Sequence, residues 1–268
     1  MEPICERDQL IALSYRYNGE WEKMYDAIIK KENVSEEDVL LAKQSINSQA
    51  LTLLDKEYPA NLMRANRPPF VLYYYGDISL LAKFDRALGV IGNREFSEYG
   101  ELITRELVKG VSDKLVIVSG LAKGVDSIAA DECLKNGGKT IAVLGTGIDI
   151  CYPESSKKLY DTIKKKGLIL SEYPNKTTQN NIDTFPKRNR IIAALSKNLL
   201  ITEAKRHSGT SITVGFLNDA SNLLCVPQRA NEDSLCNLLI KEGAKLVTCP
   251  NDILEEYNFP EKIEEFEI

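Results

Sequence analysis

The sequence predicts an α/β protein in which a small helical module precedes an open, mostly parallel sheet. Six short apolar runs, rich in β-branched residues, follow one another from residue 88 onward. Segments with helical periodicity separate these runs, and the first 54 residues show helical spacing alone. Because helices cover both faces of a parallel sheet, its buried strands appear as continuous apolar runs. The alternation predicts right-handed crossovers and a Rossmann-like, doubly wound sheet over about residues 70–250.

The N-terminal segment is predicted to be helical from Ile4 to Leu54. Leu10, Leu13 and Tyr17 recur at a spacing of three or four residues, which places them on one face of a helix. Ser35 is an N-cap candidate, and the pattern after it predicts a helix over residues 36–54.

The chain divides into three predicted parts. Tyr58-Pro59 ends the helical pattern, and an extended run, Phe70–Tyr75, follows it. We therefore expect a small helical module over residues 1–57, a Rossmann-like domain over 58–252 and an acidic C-terminal tail over 253–268.

Six strands are predicted in the second part. They are Leu88–Ile91, Leu115–Val118, Thr140–Leu144, Leu168–Leu170, Leu199–Thr202 and Leu223–Val226. The helices are predicted near residues 97–112, 124–136, 155–166, 187–196 and 210–220. Since the carboxyl ends of parallel strands share one edge of the sheet, the loops that follow them are expected to form the ligand site.

The charge is distributed unevenly along the chain. The formal net charge is −5, and 43% hydrophobic with 27% charged residues is the balance of a globular chain with a substantial core. Residues 1–60 carry −5 and residues 251–268 carry −6, so residues 61–250 carry +6. A moderately basic body between acidic ends is compatible with a polyanionic ligand.

Membrane and secretory signals do not occur in the sequence. No apolar stretch approaches the roughly 18 residues that span a bilayer. Glu2, Arg7, Asp8 and Glu20 interrupt the region where a signal peptide needs an apolar segment. We therefore expect a soluble, cytoplasmic protein with no membrane partner.

The cysteines do not form a metal-ligand pattern. The six cysteines include no C-x-x-C pair, and His207 is the one histidine. Zinc sites need closely spaced Cys and His ligands, so we expect no metal site. Without a secretion signal, the cysteines are expected to be reduced thiols.

Glycine, hydroxyl and cationic residues follow four of the predicted strands. Glycine permits close backbone approach, helix N-termini offer N–H groups to anions, and the arginine fork suits phosphate. One such loop alone is most simply a plain β–α turn, but four at one edge predict a phosphate-binding surface. Its residues are Gly92, Asn93 and Arg94, then Ser119, Gly120 and Lys123, then Gly145-Thr146-Gly147, and then Ser208, Gly209 and Thr210.

The common nucleotide-cofactor motifs are missing. Gly145-Thr146-Gly147 lacks the third glycine of G-x-G-x-x-G, since Ile150 stands there, and no Walker A ending of Gly-Lys-Ser/Thr occurs. We therefore expect neither NAD nor ATP, and no cofactor.

One predicted helix start combines an aromatic residue and a proline with clustered cations. In chain order its residues are Phe185, Pro186, Lys187, Arg188, Asn189 and Arg190. Proline favours the first helical position, and cations there oppose the helix dipole unless an anion visits. A base-stacking aromatic beside backbone-gripping cations is typical of single-stranded nucleic acid binders. The simpler interpretation is a solvated basic turn with Phe185 packed on the core, and both interpretations stay open here.

An ordered series of motifs runs from Tyr58-Pro59 to about Asp252. It comprises Leu72-Tyr73-Tyr74-Tyr75-Gly76, Gly92-Asn93-Arg94, Ser119-Gly120-Leu121-Ala122-Lys123-Gly124-Val125-Asp126, Tyr152-Pro153, Ser171-Glu172, Phe185-Pro186-x-Arg188-Asn189-Arg190 and Ser208-Gly209-Thr210. In this order the sequence resembles the DNA-processing protein A (DprA/Smf) family, and an ordered series is more specific than any single motif.

The resemblance implies a non-catalytic Rossmann-like protein that binds single-stranded DNA. It also implies displacement of single-strand-binding protein, loading of a RecA-type recombinase, chiefly in natural transformation, and a homodimer. The matched motifs imply that Arg94 contacts a phosphate and that Phe185 lies against a base. They also imply that Arg188 and Asn189 contact the DNA backbone. The pocket is then expected to be lined by Ser119, Gly120 and Lys123. Lys187 occupies a variable position of the family, so its role is inferred from charge alone.

The sequence departs from the family pattern at four positions. Asn93 replaces the serine of Gly-Ser-Arg and keeps the cation that follows it. The other departures are Ala130 at a frequent histidine position, Gln228 in place of the glycine of Val-Pro-Gly, and Leu235 at a usual glycine position.

Two other functions remain open from the sequence. A phosphoribohydrolase-like, nucleotide-processing enzyme has a similar fold and glycine-rich loop, but Ile212-Thr213-Val214 stand where its general-acid/base glutamate is expected. Glu203 precedes that loop, and we expect it to be a strand-end residue bonded to neighbouring N–H groups. The other alternative is an interaction protein without DNA binding, which the net charge favours and the clustered cations oppose.

Overall fold

The computed structural model describes residues 4–177, 181–217 and 222–258, without the side chains of residues 181 and 182. Its strands are β1 (Gln49–Thr52), β2 (Val71–Gly76), β3 (Ala87–Ile91), β4 (Val116–Ser119), β5 (Lys139–Gly147), β6 (Leu168–Tyr173), β7 (Asn198–Ile201), β8 (Leu223–Cys225) and β9 (Lys245–Leu246). Within the described residues they form one nine-stranded sheet in the order β1-β2-β6-β5-β4-β3-β7-β8-β9.

Helices pack on this sheet. They are α1 (Glu6–Arg16), α2 (Trp21–Ile29), α3 (Glu36–Ser45), α4 (Ala60–Met63), α5 (Glu98–Val111), α6 (Val125–Lys135), α7 (Lys157–Lys166), α8 (Asn181–Leu195), α9 (Gly209–Val214), α10 (Leu235–Lys241) and α11 (Pro250–Glu255). None of these described helices is both long and apolar enough to cross a membrane.

The sheet is doubly wound about β3. Strands β3 to β9 pair in parallel, while β1 pairs with β2 and β2 with β6 in antiparallel register. After β3 the chain adds β4, β5 and β6 on one side, and it then returns to place β7, β8 and β9 on the other. This reversal beside β3 is a topological switch point, and the crevice outside the carboxyl ends of β3 and β7 is the expected ligand position.

The predicted fold class is confirmed. All six predicted apolar runs are strands of the sheet, and the run predicted over 115–118 lies one residue later, at Val116–Ser119. The Phe70–Tyr75 run contributes a seventh strand, β2, which joins the sheet in antiparallel register. The helix predicted over 210–220 corresponds to α9, which ends at Val214; residues 215–217 are not helical, and residues 218–220 lie outside the described residues.

The helix predicted over residues 36–54 is wrong in its second half. α3 begins after Ser35, whose side chain accepts from the Asp38 N–H as predicted for an N-cap, but the helix ends at Ser45. The chain then forms β1, in which Leu51 lies opposite Leu72 of β2. Pairing with an edge of the sheet therefore overrides the local helical spacing.

The sequence predicts a helix that starts at Pro186, and this prediction is wrong. α8 begins at Asn181 and contains Pro186 within it. A proline has no N–H for the carbonyl oxygen four residues earlier, so it interrupts the hydrogen-bond ladder at this point without ending the helix.

The N-terminal helices share a hydrophobic core with the sheet. Ile11, Leu13 and Met24 belong to the same buried cluster as Tyr73 of β2, and the Tyr73 hydroxyl donates to Ser14 Oγ at 2.9 Å. The division of the chain at residue 57 stays a prediction. Of the predicted acidic tail, residues 253–255 end α11 and residues 259–268 lie outside the described residues.

Candidate nucleic-acid interface

A cleft of about 460 Å³ lies at the switch point. The loops after β3 and β7 and one side of α8 enclose it, and the predicted residues in its lining are Gly92, Asn93, Arg94, Phe185, Arg188, Asn189, Ser208, Gly209 and Thr210. A recess of about 170 Å³ adjoins it and adds Gly120 and Lys123. Ser119, Lys187, Arg190 and the loop Gly145-Thr146-Gly147 line neither, so the structure brings most of the predicted residues together and leaves these six apart.

Asn93 joins the loop after β3 to the loop after β7. Its backbone N–H donates to the Glu203 carbonyl oxygen at 2.8 Å, and its side-chain amide donates to the Glu203 carboxylate at 3.2 Å. Its side-chain oxygen accepts from the Lys205 N–H at 3.2 Å. Asn93 therefore holds the two loops in place, and the neighbouring Arg94 stays exposed at the cleft.

The loop after β4 forms the border between cleft and recess. Ser119 is 1% exposed, and its hydroxyl donates to the Val90 carbonyl at 2.7 Å, between strands. Gly120 passes so close to Arg188 that a Cβ there would lie 2.4 Å from Nη1. That close approach requires glycine. Lys123 is exposed and lines the recess.

Arg188 is a buried bracket at the floor of the cleft. It is 4% exposed, and Nη1 donates to the carbonyl oxygens of Gly120, which directly follows β4, and of Val143, within β5. Burial lowers the pKa of the Arg188 guanidinium to about 10, although the Asp126 carboxylate opposes this shift. Burial also raises the pKa of Asp126, against the charge of Arg188 and the Gly120 N–H. Arg188 therefore joins the end of β4 to the middle of β5 and places positive charge beneath the cleft.

Phe185 lies between two guanidinium groups. The Cζ atoms of Arg94 and Arg188 lie 5.5 Å and 5.7 Å from its ring centroid, respectively, in cation–π contact. The Tyr152 ring lies 5.5 Å from the Phe185 ring, tilted by 33°, and Tyr152 is 48% exposed. Phe185 is half-buried, so the cluster presents both aromatic surface and cations where the cleft meets the recess.

Lys187 and Arg190 bind other parts of the protein. Arg190 Nη2 forms a 2.6 Å ion pair with Glu172, and both side chains are 6% exposed. Arg190 Nε also donates to the Arg67 carbonyl at 2.9 Å. Lys187 Nζ lies 3.5 Å from Glu22 of α2, on the surface. Their predicted contacts with nucleic acid stay predictions, and the charge of Arg190 is already balanced inside the protein.

Glu203 binds the start of α5. Its carboxylate accepts from the Ser97 N–H at 3.1 Å and from the Ser97 hydroxyl at 2.7 Å, as well as from the Asn93 amide. The expectation that Glu203 is bonded to neighbouring N–H groups is confirmed. Further along the same loop, the Ser208 hydroxyl donates to the Lys205 carbonyl at 2.8 Å, and His207 is exposed.

Sequence reasoning missed two residues of this site. Lys205 is exposed and lines the cleft, and it could have been found as a cation that follows a predicted strand at the ligand-binding edge. Tyr152 belongs to one of the matched motifs, but its contact with Phe185 joins residues that are 33 positions apart in the chain. A local sequence pattern does not predict such a contact.

The remaining departures from the family pattern lie outside the cleft and the recess. Ala130 and Leu235 are buried. The Gln228 side-chain amide donates to the Thr202 carbonyl oxygen at 2.9 Å. These positions therefore contribute to packing between elements in this chain.

The six cysteines are all thiols in the part of the chain that the structure describes. Burial raises the pKa of the Cys133 thiol to about 11. Over the same residues, no group of three or more His, Cys, Asp or Glu side chains gathers as a metal site.

Comparison with protein families and relatives gives consistent matches. Residues 49–258 match the family model for DNA recombination-mediator protein A. The chain is 40% identical over 226 residues to the DNA processing protein DprA of Streptococcus pneumoniae, which covers 83% of this chain and 79% of that protein.

Two solved structures are similar over most of this chain. The X-ray structure of DNA processing protein A from Streptococcus pneumoniae matches with a TM-score of 0.77 and 33% identity, and it covers 96% of this chain and 94% of that one. The second is DNA processing protein A from Helicobacter pylori, a structure that concerns the single-stranded DNA binding mode of that protein. It matches with a TM-score of 0.68 and 31% identity, over 78% of this chain and 95% of that one.

Proposed function

This chain belongs to the DNA recombination-mediator protein A family, and from that premise we propose that it binds single-stranded DNA in the switch-point cleft and holds it without cleaving it. The observation that carries the proposal is the cluster of Arg94, Phe185 and Tyr152 at the border between cleft and recess. Cations beside exposed aromatic rings are the combination that binds single strands. The similar Helicobacter pylori protein, described for its single-stranded DNA binding mode, supports the assignment.

Phosphate groups are proposed to bind the exposed cations of the site. Arg94 and Lys205 line the cleft and Lys123 lines the recess, and all three are exposed. Arg188 contributes charge from below the surface, because its guanidinium is held by the carbonyl oxygens of Gly120 and Val143. We expect Arg94 to be the main phosphate contact, since its forked guanidinium can pair with two phosphate oxygens.

A base is proposed to stack on Phe185. The Arg94 guanidinium carbon lies 5.5 Å from the Phe185 ring centroid. Because Arg94 is exposed, it can move to a phosphate and free the ring face for a base. Tyr152 supplies a second aromatic surface beside it. One movement of Arg94 would thus create both a phosphate contact and a stacking surface.

The hydrogen bonds of two carboxylates near the cleft favour binding of the DNA strand without cleavage. Glu203, the candidate acid or base for the phosphoribohydrolase-like alternative, binds Ser97 and Asn93 and does not line the cleft. Asp126 does line the cleft, but it accepts from the Gly120 N–H at 3.1 Å and is buried near Arg188. Glu203 and Asp126 therefore have structural partners, whereas Glu95, which also lines the cleft, is exposed.

We propose that the bound strand is then passed to a RecA-type recombinase in the cytoplasm. This step would serve recombination and DNA uptake in natural transformation, with single-strand-binding protein displaced from the same DNA and the protein acting as a homodimer. The family to which the chain belongs, named for recombination mediation, supports this role.

Binding of oligothymidylate, measured by fluorescence anisotropy at two salt concentrations, tests the proposed function. The wild-type protein should prefer the single strand to duplex, and its affinity should fall steeply with salt because phosphate contacts release counterions. Arg94→Ala should weaken binding and reduce the slope of log affinity against log salt by about 0.7, the value of one contact. Arg64→Ala is the matched control, since Arg64 is exposed and lines neither cleft nor recess.

Two outcomes would contradict the proposal. An affinity for oligothymidylate that does not change with salt would mean that phosphate contacts do not hold the strand. That result would favour an interaction protein without a DNA-binding function. Release of free base from nucleoside monophosphates, abolished by Glu203→Gln, would show a nucleotide-processing enzyme instead.

A further inference from the structure

The exposed side of α7 carries a dense group of lysines, which we call the lysine face. It consists of Lys157, Lys158, Lys164, Lys165 and Lys166, all exposed. Asp161 is the one acidic residue within α7, and the inward side of the helix buries Tyr160 and Ile163. In a chain with a net charge of −5, this helix is a local concentration of positive charge.

Folding explains only part of this charge. Lysines in the last turn of a helix are favourable because they face the negative end of the dipole, but Lys157 and Lys158 lie in the first turn, where cations are unfavourable. Lys157 pairs with Asp161 at 2.5 Å, and Lys164 Nζ lies 3.5 Å from the Tyr75 ring centroid.

Three lysines of the face are not balanced by a carboxylate. Lys158, Lys165 and Lys166 form no ion pair with any side chain in residues 4–177, 181–217 or 222–258. They line a shallow surface groove together with Thr162. Exposed like charges on one helix face, without compensation, favour an anionic partner.

The lysine face begins where the recess ends. Lys123, Tyr152 and Pro153 line the recess, and a short 3₁₀ helix, Glu154–Ser156, connects Pro153 directly to α7. The Ser156 and Ser127 hydroxyl oxygens lie 3.4 Å apart, which holds the start of α7 against α6 beside Lys123. Lys157 and Lys158 therefore follow the recess residue Pro153 closely along the chain, with the exposed Glu154 between them.

We propose that single-stranded DNA continues from the cleft through the recess and along the lysine face of α7. This inference rests on the proposed function, and it adds a second segment to the binding path. The lysine face is positively charged and is continuous with the recess. For these two reasons we infer that a DNA strand, and not an acidic protein, binds to it. α8, which lines the cleft, is the other helix in which cations clearly exceed carboxylates, so the two most basic described helices lie on one path. α7 has a length of about 15 Å, enough to add several phosphate contacts.

The test compares oligothymidylates of about 6 and about 25 nucleotides, lengths that fill the cleft alone or extend beyond it. In the variant K158Q/K165Q/K166Q, affinity for the long oligomer should fall about tenfold at 0.1 M salt, and the salt slope should decrease by about 2, as expected for three lost contacts. Affinity for the short oligomer should stay unchanged. The control K56Q/K109Q/K241Q removes the same charge from exposed lysines elsewhere and should affect both oligomers equally.

The outcomes separate the two proposals. If the wild-type protein binds neither oligomer, the proposed function fails. If it binds both but the α7 variant weakens the long oligomer no more than the control does, the lysine face is not on the DNA path, and an acidic protein becomes the candidate occupant. Equal loss for short and long oligomers would also overturn the inference, because it would indicate an effect through the cleft.

Cross-linking provides a second measurement that does not depend on affinity. Thr162 lies among the lysines of the groove, so Thr162→Cys can carry a photoreactive group, in a background of Cys5→Ser, Cys151→Ser and Cys249→Ser that removes the exposed and the partly exposed native thiols. We expect cross-links to the long oligomer and none to the short one. Absence of cross-links to a long oligomer that is demonstrably bound would overturn the path along α7.

Discussion

The arginines near the site differ in what holds them, and this difference decides what each can do. Arg94 is exposed, and its guanidinium lies against the Phe185 ring. The Arg188 guanidinium donates to the carbonyl oxygens of Gly120 and Val143, and Arg190 is paired with Glu172 inside the protein. Substitution of Arg94 should therefore report on binding, whereas substitution of the other two should first report on stability.

Phe185→Ala should weaken single-strand binding by about 1–3 kcal/mol with little change in salt slope, because stacking is lost while phosphate contacts remain. The measurement is oligothymidylate affinity at two salt concentrations, together with a thermal melt. Phe84→Ala is the control, since Phe84 is also half-buried but precedes β3, at the opposite edge of the sheet. If Phe185→Ala lowers Tm and leaves affinity intact, the ring is a lid on the core and not a stacking surface.

Arg190→Met should lower the free energy of unfolding by about 3–5 kcal/mol, because it leaves the buried Glu172 carboxylate without its cation. Urea unfolding measures this. Lys187→Met is the control, since its pair with Glu22 is exposed and should contribute no more than about 1 kcal/mol. The double change of Arg190→Met with Glu172→Leu should recover part of the loss. Equal destabilisation by the two single changes would contradict the buried-pair argument.

At the scale of elements, position in the sheet determined several boundaries. Gln49–Thr52 follows a helical pattern, but it pairs with β2 and becomes an edge strand. α8 begins six residues before the predicted start and carries Pro186 within it. The helix predicted over residues 49–52 and the predicted start of α8 are both wrong, because long-range packing decided the type or the extent of the element.

The N-terminus of α3 should be a pH-sensitive element. Hydrogen bonds from Ser35 and the nearby Arg16 lower the pKa of Asp38 to about 2. A carboxylate with a depressed folded-state pKa stabilises the fold above its ordinary pKa near 3.8, and that contribution is lost as the pH falls towards 2. The Tm difference between wild type and Asp38→Asn should therefore be full at about pH 5 and disappear near pH 2.

Glu37→Gln is the matched control for this pH dependence. Glu37 is an exposed acidic neighbour in the same first turn of α3. Its Tm difference from wild type should lack the loss between about pH 4 and pH 2 that Asp38→Asn shows. A constant Tm difference for Asp38→Asn across this range would show that the capping interaction is not made by the ionised carboxylate.

At the scale of the whole molecule, the doubly wound sheet reconciles a net charge of −5 with a proposed polyanionic ligand. The cleft lies where the winding reverses beside β3, and it gathers cations from loops after β3 and β7 and from α8. Glu36, Glu37 and Asp38 in the first turn of α3 lie outside the cleft lining, whereas Glu95 and Asp126 belong to it. Local concentration of charge, and not its sum, is therefore the relevant quantity for binding.

The sequence by itself determined the fold class, the six parallel strands and the edge at which the site lies. Apolar runs and helical spacing are local patterns, and topology then requires loops such as Gly92-Asn93-Arg94 and Ser208-Gly209-Thr210 to meet. Only the tertiary structure decided which cations face the cleft. Arg190 forms an ion pair with Glu172, and Arg188 donates to backbone carbonyl oxygens. Lys205 lines the cleft, and Tyr152 contacts Phe185 beside it. Such choices depend on partners distant in sequence, whose desolvation and charge no local pattern records.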